Sequence, residues 1–299
     1  MNIVIMGAGA IGSFIGATLS KNNKVILVGR NPHIAAIQKK GLEIKGETVF
    51  KGKISAVTSV DEISFIPDIV FLTVKAYDTA NAMDEILPIL SRETILCSLQ
   101  NGLDNIEKIS GKINLDQIVA GVTSRGVELR KPGVIYHTGI GWTIVGTLKD
   151  TIREKAEFIA GVLNKSGIET SVTSDIMKEI WKKAIINSSI NPLTAIFSCR
   201  NGYLLENPIL AGILDRICRE STSVANAAGI PLNEEDLVDL THRVIENTAG
   251  NSSSMLQSMR RGKKTEIDSI NGKIVEIGEK KGVDPVLNKI LLYLIKNII

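Results

Sequence analysis

A lysine and two asparagines recur at a spacing that gathers them on one side of a helix. Lys183, Asn187 and Asn191 stand at positions i, i+4 and i+8 of the stretch that begins at Trp181, with three isoleucines between them. Residues four apart lie one above another on a helix, and asparagine is a poor interior residue because its amide competes for backbone hydrogen bonds. The pattern therefore predicts a polar stripe with a chemical role, although the exposed face of an amphipathic helix has the same spacing.

An amine flanked by amides suits the reduction of a ketone. Hydride arriving at a keto carbon builds negative charge on its oxygen, and a positioned ammonium stabilises that oxygen and donates the proton. Neutral amides orient hydroxyl and carbonyl groups without adding charge. Partial burial or a neighbouring cation lowers the pKa of a lysine and makes it a better acid. Lys182 projects about 100° away from Lys183 on a helix, so Lys183 is the candidate acid.

A second polar cluster follows later in the chain. Residues 251–257 read NSSSMLQ and residues 260–268 read RRGKKTEID. Gly262 is predicted to interrupt a helix and Thr265 to cap the next one, which places Glu266 in its first turn. On these residues alone we favour structural roles, with serines 252–254 starting a helix and Glu266 stabilised by the helix dipole.

The N-terminal segment carries a glycine-rich hexamer in the context of a dinucleotide-binding unit. The hexamer follows a short apolar run, opens a helical pattern over residues 10–21 and precedes a second apolar run at 25–28. Its first glycine permits a tight turn, its second lets the backbone approach a pyrophosphate, and its third allows close packing of the helix. A glycine-rich turn without a ligand is the alternative. The predicted cofactor-binding residues are Gly7, Ala8, Gly9, Ala10, Ile11 and Gly12.

The residue after the second apolar run distinguishes the two nicotinamide cofactors. NAD sites place Asp or Glu there to accept from ribose hydroxyls, but this chain has no acidic residue before Glu43 and has Arg30 at that position. A guanidinium matches a 2′-phosphate, so we predict NADP; an ordinary solvated arginine is the alternative. Lys75 and Asn101 follow two further apolar runs, where ligands of parallel sheets bind, although Asn101-Gly102 is also a common turn dipeptide.

The elements that position these residues fall into two halves. Short apolar runs, including 68–74 and 94–99, alternate with helical patterns in the first half, which predicts a parallel sheet covered on both faces. The β-rich segment 134–145 predicts antiparallel strands that close this domain. From about Asp175 onward nearly everything is predicted to be helical. We predict an α/β fold, with a Rossmann dinucleotide-binding domain over residues 1–170 and an all-α domain over residues 171–299.

Composition excludes several classes of protein. The 299 residues are 44% apolar and 22% charged with a net charge of +3, which suits two folded domains and offers no basic stripe for nucleic acid. No apolar run reaches the ~18 residues of a transmembrane helix, and glycines interrupt the apolar N-terminus, so we expect neither a membrane association nor a signal peptide. The three cysteines and three histidines are scattered, which predicts a cytoplasmic protein without a disulfide framework or bound metal.

Six segments extend over most of the chain in the order of a known family, and with them the sequence resembles the ketopantoate reductases. The segments are GAGAIG, LTVKAYDT, LQNG, KKAIINSSINPLTA, CRNG and SSMLQSMRRGKKTEID. The resemblance implies a helical second domain like the C-terminal domain of 6-phosphogluconate dehydrogenase. It also implies reduction of 2-dehydropantoate to (R)-pantoate by NADPH, a step toward pantothenate and coenzyme A.

The resemblance implies roles for individual residues. Lys183 would protonate the ketone oxygen, while Asn187, Asn191 and Asn201 would hold the substrate. Ser254 would bind the carboxylate end of the substrate, and Glu266 would contact the cofactor near the reacting centre and order the site. The residues implied for NADPH are the hexamer from Gly7 to Gly12, Arg30, Lys75, Asn101, Val127 and Glu266.

Two arginines depart from the common pattern of the family and keep other functions open. Arg125 stands where some members have histidine, and Arg200 stands in CRNG where other residues are common. One alternative is an NADPH-dependent reductase of another branched 2-keto acid. Another is an NADP-sensing protein without catalysis, which the joint presence of the implied acid and its helpers disfavours. We expect a homodimer, because symmetric dimers are the commonest soluble oligomers.

Overall fold

The structure is a computed structural model that describes residues 1–298. The chain forms two compact units, and each is described by itself. Unit 1 contains Met1–Gln100 and Asn105–Ile176, while unit 2 contains Asn101–Asp104 and the chain from Met177 onward. The division after Ile176 lies a few residues beyond the boundary proposed from the sequence, and the short segment after Gln100 groups with unit 2 although sequence reasoning placed it in the first domain.

Unit 1 is built on an eight-stranded sheet. Its strands are β1 (Asn2–Met6), β2 (Lys24–Val28), β5 (Ser55–Val57), β6 (Ile69–Leu72), β7 (Ile95–Ser98), β8 (Ile118–Thr123), β11 (Thr143–Thr147) and β12 (Thr170–Val172). They follow the order β12-β11-β8-β7-β6-β1-β2-β5, and all neighbours are parallel except β8 and β11, which are antiparallel. Strand order reverses at β1, which lies between β2 and β6, and such switch points are where ligands bind in α/β sheets.

Apolar side chains alternate between two cores on opposite faces of this sheet. Ile3 and Ile5 of β1 belong to one apolar cluster, and Val4 and Met6 belong to another. Successive strand residues point to opposite faces, so the continuous apolar runs read from the sequence become strands buried on both sides. The helices of unit 1 are α1 (Ala10–Leu19), α2 (His33–Lys40), α3 (Thr79–Ile86), α4 (Asn105–Ser110) and α5 (Arg153–Lys165).

A second sheet of four strands corrects the prediction for residues 134–145. Its order is β4-β3-β10-β9, formed by β3 (Leu42–Gly46), β4 (Phe50–Gly52), β9 (Gly126–Lys131) and β10 (Val134–Gly139). β10 is antiparallel to β9, a strand that the sequence analysis did not identify, and lies parallel to β3. β10 and β11 belong to different sheets and do not pair with each other. A Cβ on Gly141, which lies between them, would overlap the backbone of Ser124, so the crossing requires glycine there.

Unit 2 is helical, which confirms the predicted fold class together with the sheet of unit 1. Asn233 caps a helix by accepting from the backbone N–H of Asp236, and Gly229 and Gly282 have positive φ of 88° and 75° where helices end. These three signals were readable in the sequence. The helices are α6 (Ile176–Ile196), α7 (Tyr203–Glu206), α8 (Pro208–Ala227), α9 (Glu234–Asn247), α10 (Ser254–Arg260), α11 (Lys273–Lys280) and α12 (Val286–Ile298).

Within unit 2, one turn is a π-helix. It spans Asp268–Gly272 and leads directly into α11. Its widened spacing is visible in the hydrogen bond of 2.9 Å from the Gly272 N–H to the Ile267 carbonyl, five residues earlier. π turns of this kind are rare and are often found at functional sites.

Candidate cofactor and substrate sites

The glycine-rich loop is compressed between the ends of β1 and β6. Gly7 has a φ of +108°, which favours glycine, and its N–H donates to the Val28 carbonyl over 3.0 Å. The hydroxyl of Thr73 donates to the Gly7 carbonyl over 2.8 Å. A Cβ on Gly12 would overlap the same carbonyl and approach Thr73 Oγ1 to 2.5 Å. Gly7 and Gly12 are therefore required by the fold of the loop, with or without a ligand.

Gly9 is the glycine of this loop that the fold itself does not require. The nearest atom to a Cβ placed there is the Gly7 carbonyl oxygen at 4.0 Å. Gly9 precedes the first turn of α1, and no side chain among the described residues caps that helix. The first N–H groups of a helix have no acceptor within the helix, and the helix dipole favours an anion there. Open space above uncapped amides at residues 10–12 fits the pyrophosphate of a dinucleotide.

Arg30 has a specific partner that sequence reasoning missed. It follows β2, its side chain is 79% exposed, and its guanidinium forms an ion pair with the carboxylate of Asp78. Asp78 ends the short 3₁₀ turn Ala76–Asp78 that follows β6. Neighbouring parallel strands end at one edge of a sheet, so this contact was predictable only once the strand order was known.

Lys75 lies in a loop that a buried hydrogen-bond network holds. Lys75 is partly buried and immediately precedes the 3₁₀ turn. The Gln100 side chain donates to the Val74 carbonyl over 2.9 Å and to the Thr79 hydroxyl over 2.8 Å. The Ser98 hydroxyl donates to Gln100 Oε1 over 2.9 Å. Gln100 thereby ties the loop after β6 to the end of β7, a role that the sequence pattern did not reveal.

Val127 and Arg125 lie at the start of the four-stranded sheet. Val127 is on β9 opposite His137 and packs partly buried against the core of unit 1. Arg125 lies just before β9, with its guanidinium carbon 5.9 Å from the centre of the Phe14 ring. Burial lowers the pKa of Arg125, and the nearby Glu169 opposes that shift. The arginine that departs from the family pattern is thus partly desolvated beside α1.

In unit 2, the predicted polar stripe lies on α6 and is not an exposed face. Asn191 is 7% exposed, and Lys183 and Asn187 are partly buried. The exposed-face interpretation is therefore wrong at Asn191. Lys183 has polar or charged neighbours in the structure, whereas Lys182 projects elsewhere and forms an ion pair of 2.8 Å with Glu179.

Asn101 and Glu266 are brought together although they are far apart in sequence. Asn101 Nδ2 lies 3.5 Å from Glu266 Oε2, across 165 residues of chain, and Glu266 is 8% exposed. The Leu103 N–H donates to the Ser269 carbonyl over 3.0 Å, and the Ser269 hydroxyl donates to Asp104 Oδ2 over 3.1 Å. The segment 101–104 is thus fastened to the turn that carries Glu266.

The turn around Glu266 differs from the predicted helix start. Thr265 Oγ1 is 3.5 Å from the Ile267 N–H, which is too long for an effective cap. The Glu266 carbonyl accepts from Ser269 and Ile270, and the chain then enters the π turn. Glu266 therefore precedes a π-helix rather than occupying the first turn of an α-helix. Its burial also sets it apart from a surface residue favoured only by the helix dipole.

The remaining predicted substrate residues are Ser254, at the start of α10, and Asn201, just before α7. Ser253 caps α10 by accepting from the Leu256 N–H, and Ser254 is the exposed first residue of that helix. The structural interpretation of the serines is therefore correct for Ser253. Asn201 is 7% exposed, and its Nδ2 donates to Thr248 Oγ1 over 2.9 Å. Its buried Oδ1 accepts no hydrogen bond from any described residue.

Neither a metal cluster nor a membrane span is found in the part of the chain that the structure describes. No group of three or more His, Cys, Asp or Glu residues within residues 1–298 is arranged to hold a metal ion. Over the same residues, no helix combines the length and apolar character needed to cross a bilayer.

The fold and these residues define a class of protein. A parallel sheet with an open, uncapped glycine loop at its switch point is a dinucleotide-binding unit. A partly buried lysine shares one face of α6 with two asparagines, and these are residue types that can bind a polar carbonyl compound. Together they define an oxidoreductase that uses a nicotinamide dinucleotide.

Comparison with known proteins narrows this class. The family models described as ketopantoate reductase PanE/ApbA and its C-terminal part match residues 3–150 and 175–298. The chain is 39% identical over 297 residues to a 2-dehydropantoate 2-reductase of Pyrococcus horikoshii, covering 99% of this chain and 97% of the relative. The chain belongs to the ketopantoate reductase family.

Solved structures share the architecture along the whole chain. A ketopantoate reductase of the PanE/ApbA family from Ralstonia eutropha is 29% identical with a TM-score of 0.91, covering 100% of this chain and 98% of that one. A D-mandelate dehydrogenase in a ternary structure with NADH and anilino(oxo)acetate is 26% identical with a TM-score of 0.95, covering 99% of this chain and 97% of that one. The fold therefore accommodates more than one hydroxy-acid chemistry.

Proposed function

We propose that this protein reduces 2-dehydropantoate to (R)-pantoate with NADPH, a step toward pantothenate and coenzyme A. The observation that carries the proposal is the 39% identity to a 2-dehydropantoate 2-reductase over nearly the full length of both chains. The partly buried Lys183-Asn187-Asn191 stripe supports it, because those residue types suit ketone reduction.

The cofactor residues are proposed from the geometry of unit 1 and the loop that follows β7. NADPH supplies the hydride. The amides at Ala10, Ile11 and Gly12 would bind its pyrophosphate, with Gly9 leaving room for the backbone approach. Arg30 would bind the 2′-phosphate through charge-assisted hydrogen bonds. Lys75, Asn101, Val127 and Glu266 complete the proposed set with Gly7 and Ala8.

The proton and the substrate are assigned to unit 2. Lys183 would donate a proton to the ketone oxygen as hydride reaches the adjacent carbon, so that one C–H and one O–H bond form and the C=O double bond becomes single. Asn187, Asn191 and Asn201 would hold the hydroxyl and carbonyl groups. The Oδ1 of Asn201 that lacks a partner among the described residues is a ready acceptor. Ser254, exposed at the start of α10, would bind the carboxylate end.

The decisive experiment follows the loss of NADPH absorbance with purified protein and ketopantoate, with NADH in a parallel cuvette. Rapid turnover that depends on NADPH, with little from NADH, supports the reaction, the substrate and the role of Arg30 together. No turnover with either cofactor, despite measurable NADPH binding, would refute the proposed substrate.

A second candidate is an NADPH-dependent reductase of another branched 2-keto acid. The observation that favours it is the TM-score of 0.95 to D-mandelate dehydrogenase, since mandelate is also a 2-hydroxy acid. A panel of 2-keto acids at equal concentration distinguishes the two. A higher kcat/KM for any other acid than for ketopantoate would replace the leading proposal.

We further propose a cytoplasmic homodimer. The three cysteines are unpaired, which suits a reducing compartment. The C-terminal helix α12 exposes apolar side chains about one turn apart, with Val286 at 48%, Ile290 at 49% and Tyr293 at 68%, a pattern that suits burial against a second copy. Sedimentation of the protein and of an Ile290→Glu variant tests this, and a monomeric wild-type protein would refute it.

A further inference from the structure

A proline inside α6 leaves one helix carbonyl without its regular donor. α6 is continuous from Ile176 to Ile196 and contains Pro192. In an α-helix, the N–H of residue 192 would donate to the carbonyl of Ser188. Proline has no N–H, and its ring also crowds the carbonyl four residues earlier. Ser188 is fully buried, so water cannot easily supply the missing donor, and a carbonyl left without one would cost free energy.

The side chain of Asn271 supplies the donor that Pro192 lacks. Asn271 lies in the π turn and is 0% exposed, and its Nδ2 donates to the Ser188 carbonyl over 3.1 Å. The same amide donates to Asn288 Oδ1 over 2.9 Å. Asn271 thus satisfies a carbonyl on another element, 83 residues away in sequence.

A buried network fixes Asn271 in this position. Asn288 is also 0% exposed, and its Nδ2 donates to Glu220 Oε1 over 2.8 Å and to Ser221 Oγ over 3.0 Å. The Ser221 hydroxyl lies 3.1 Å from the Ser188 hydroxyl, which returns the network to α6. Buried, connected networks of this kind select one arrangement because each lost bond leaves an unsatisfied polar group.

The network joins two segments that carry proposed active-site residues. Ser188 follows Asn187 directly and lies five residues after Lys183 on α6. Asn271 lies five residues after Glu266, and the intervening chain is a hydrogen-bonded turn. A displacement of the π turn along α6 would therefore move Glu266 relative to Lys183. Displacements of about 1 Å can reduce an enzymatic rate by roughly a hundredfold.

We infer that Asn271 is a positioning residue, which holds the Glu266 turn against the Lys183 helix by donating to the carbonyl that Pro192 frees. The inference rests on the proposed function, since Lys183 and Glu266 act only in that proposal. Asn271 acts through Glu266 and Lys183 and does not need to contact substrate or cofactor. Asn271 and Pro192 act as a pair. With a residue other than proline at 192, the Ser188 carbonyl would be bonded within the helix, and with an apolar side chain at 271 it would have no donor.

The test is a cycle of Asn271→Ala, Pro192→Ala and the double variant, each measured for Tm, kcat and the Kd of NADPH. Asn271→Ala is expected to lower Tm by roughly 5 °C, because the Ser188 carbonyl is left unsatisfied. It is expected to lower kcat at least about tenfold. The Kd of NADPH should rise by a smaller factor than kcat falls, because most of the proposed NADPH-binding residues, including the glycine loop and Arg30, are in unit 1 and only Asn101 and Glu266 are in unit 2. In the Pro192→Ala background, the new backbone N–H serves Ser188, and less than half of that Tm loss is expected.

The activity of the double variant separates positioning from simple stabilisation. Its kcat is expected to stay at the low value of Asn271→Ala although its Tm recovers, because the π turn still lacks its side-chain link to α6. Recovery of kcat together with Tm would overturn the positioning role. Equal Tm losses in both backgrounds, or a double variant that does not fold, would overturn the pairing with Pro192. Ile245→Ala, which truncates a fully buried side chain on α9, is the control: it is expected to lower Tm with a much smaller effect on kcat than Asn271→Ala.

Failure of the proposed function would have a different signature. The wild-type protein itself would then not oxidise NADPH with ketopantoate. Failure of the positioning role appears only in the variants, with the wild type fully active. The Tm cycle decides the link between Asn271 and Pro192 in either case.

Discussion

The guanidinium of Arg30, just after β2, forms an ion pair with the carboxylate of Asp78, which lies 48 residues later in the 3₁₀ turn after β6. β2 and β6 lie on either side of β1 in the sheet. The Arg30 side chain is 79% exposed, and an exposed ion pair contributes little to stability. The ion pair instead orients the guanidinium, because it restricts the positions that the long, flexible Arg30 side chain can occupy. A cofactor carrying a 2′-phosphate would meet a guanidinium that is already oriented.

Replacement of Arg30 by Ala is expected to lower kcat/KM for NADPH by about tenfold to a hundredfold. This corresponds to losing charge-assisted hydrogen bonds that contribute roughly 1.5–3 kcal/mol. The value for NADH should change less than about threefold, because NADH has no 2′-phosphate. Asp78→Asn is the matched control: it keeps the size of the side chain and should show a smaller loss with NADPH. Equal losses with NADPH and NADH in the Arg30 variant would contradict recognition of the phosphate.

Two alanine substitutions in one loop should separate folding from cofactor binding. Gly9→Ala adds a Cβ whose nearest neighbour is 4.0 Å away, and Gly9 has a φ of −79°, so Tm should change by less than about 2 °C. The added methyl group fills the space assigned to the pyrophosphate, and the Kd of NADPH should rise at least tenfold, as measured by quenching of protein fluorescence.

Gly12→Ala is the counterpart of that change. Its Cβ would overlap the Gly7 carbonyl and reach Thr73 Oγ1 at 2.5 Å, so the loop must shift. We expect a loss of about 1–3 kcal/mol in the free energy of unfolding, together with weak NADPH binding. A stable Gly12→Ala protein, or a Gly9→Ala protein with normal NADPH affinity, would show that the loop has another role.

The parts of the fold that the sequence predicted are those whose causes are local. Asn233 caps the helix that begins at the next residue. Lys183, Asn187 and Asn191 share a face because a helix repeats every 3.6 residues. The buried parallel strands followed from runs of apolar residues alone. No distant partner is needed to infer any of these features.

The features that escaped prediction depend on residues far apart in the chain. The partner of Arg30 could be known only after the strand order placed the ends of β2 and β6 at one edge. The parallel pairing of β10 with β3 joins segments separated by about half of the residues of unit 1. The π turn after Glu266 and the donor for Ser188 depend on packing within unit 2, and a 3.6-residue period contains no sign of either.

Lys183→Ala is expected to reduce kcat for ketopantoate reduction by about 10²–10⁴, the range for loss of a general acid. Tm and the Kd of NADPH should change little, because the side chain is only partly buried and lies in unit 2. Lys182→Ala is the matched control on the same helix. Lys182 forms a partly buried ion pair with Glu179 at 2.8 Å and projects about 100° away from Lys183 on the helix, so its loss should leave kcat within about twofold. Similar kcat losses in both variants would contradict the assignment of the acid.

Thr194 connects α6 to the cap of α10. A hydrogen bond of 2.7 Å joins its hydroxyl to that of Ser253, which accepts from the Leu256 N–H. Thr194→Val should lower the free energy of unfolding by about 1 kcal/mol and raise KM for the keto acid, with KM for NADPH unchanged, because Ser254 begins the helix whose cap is loosened. Thr222→Val is the matched control, since its equally buried hydroxyl donates to the Cys218 carbonyl within its own helix. KM is measured by steady-state kinetics with the keto acid varied. An equal rise of KM for the keto acid in both variants would contradict a role for the Thr194–Ser253 bond.

His33 should make unit 1 less stable in mild acid. Its Nδ1 accepts from the Gly133 N–H over 3.0 Å, so its Nε2 carries the proton and donates to Ser13 Oγ over 3.0 Å. Burial lowers the pKa of His33 from its ordinary value of 6.5, and a second proton would place two N–H groups against each other at Gly133. Between the ordinary pKa and the lowered one, the unfolded chain binds more protons than the folded protein, so stability is lost as pH falls below about 6.5.

The thermal midpoint, measured from pH 8 to pH 5, should decrease within this pH window, and the decrease should be shallower in His33→Gln. Burial also lowers the pKa of His137 in the same unit, so some dependence should remain in the variant. An unchanged slope in His33→Gln would assign the whole effect to other groups.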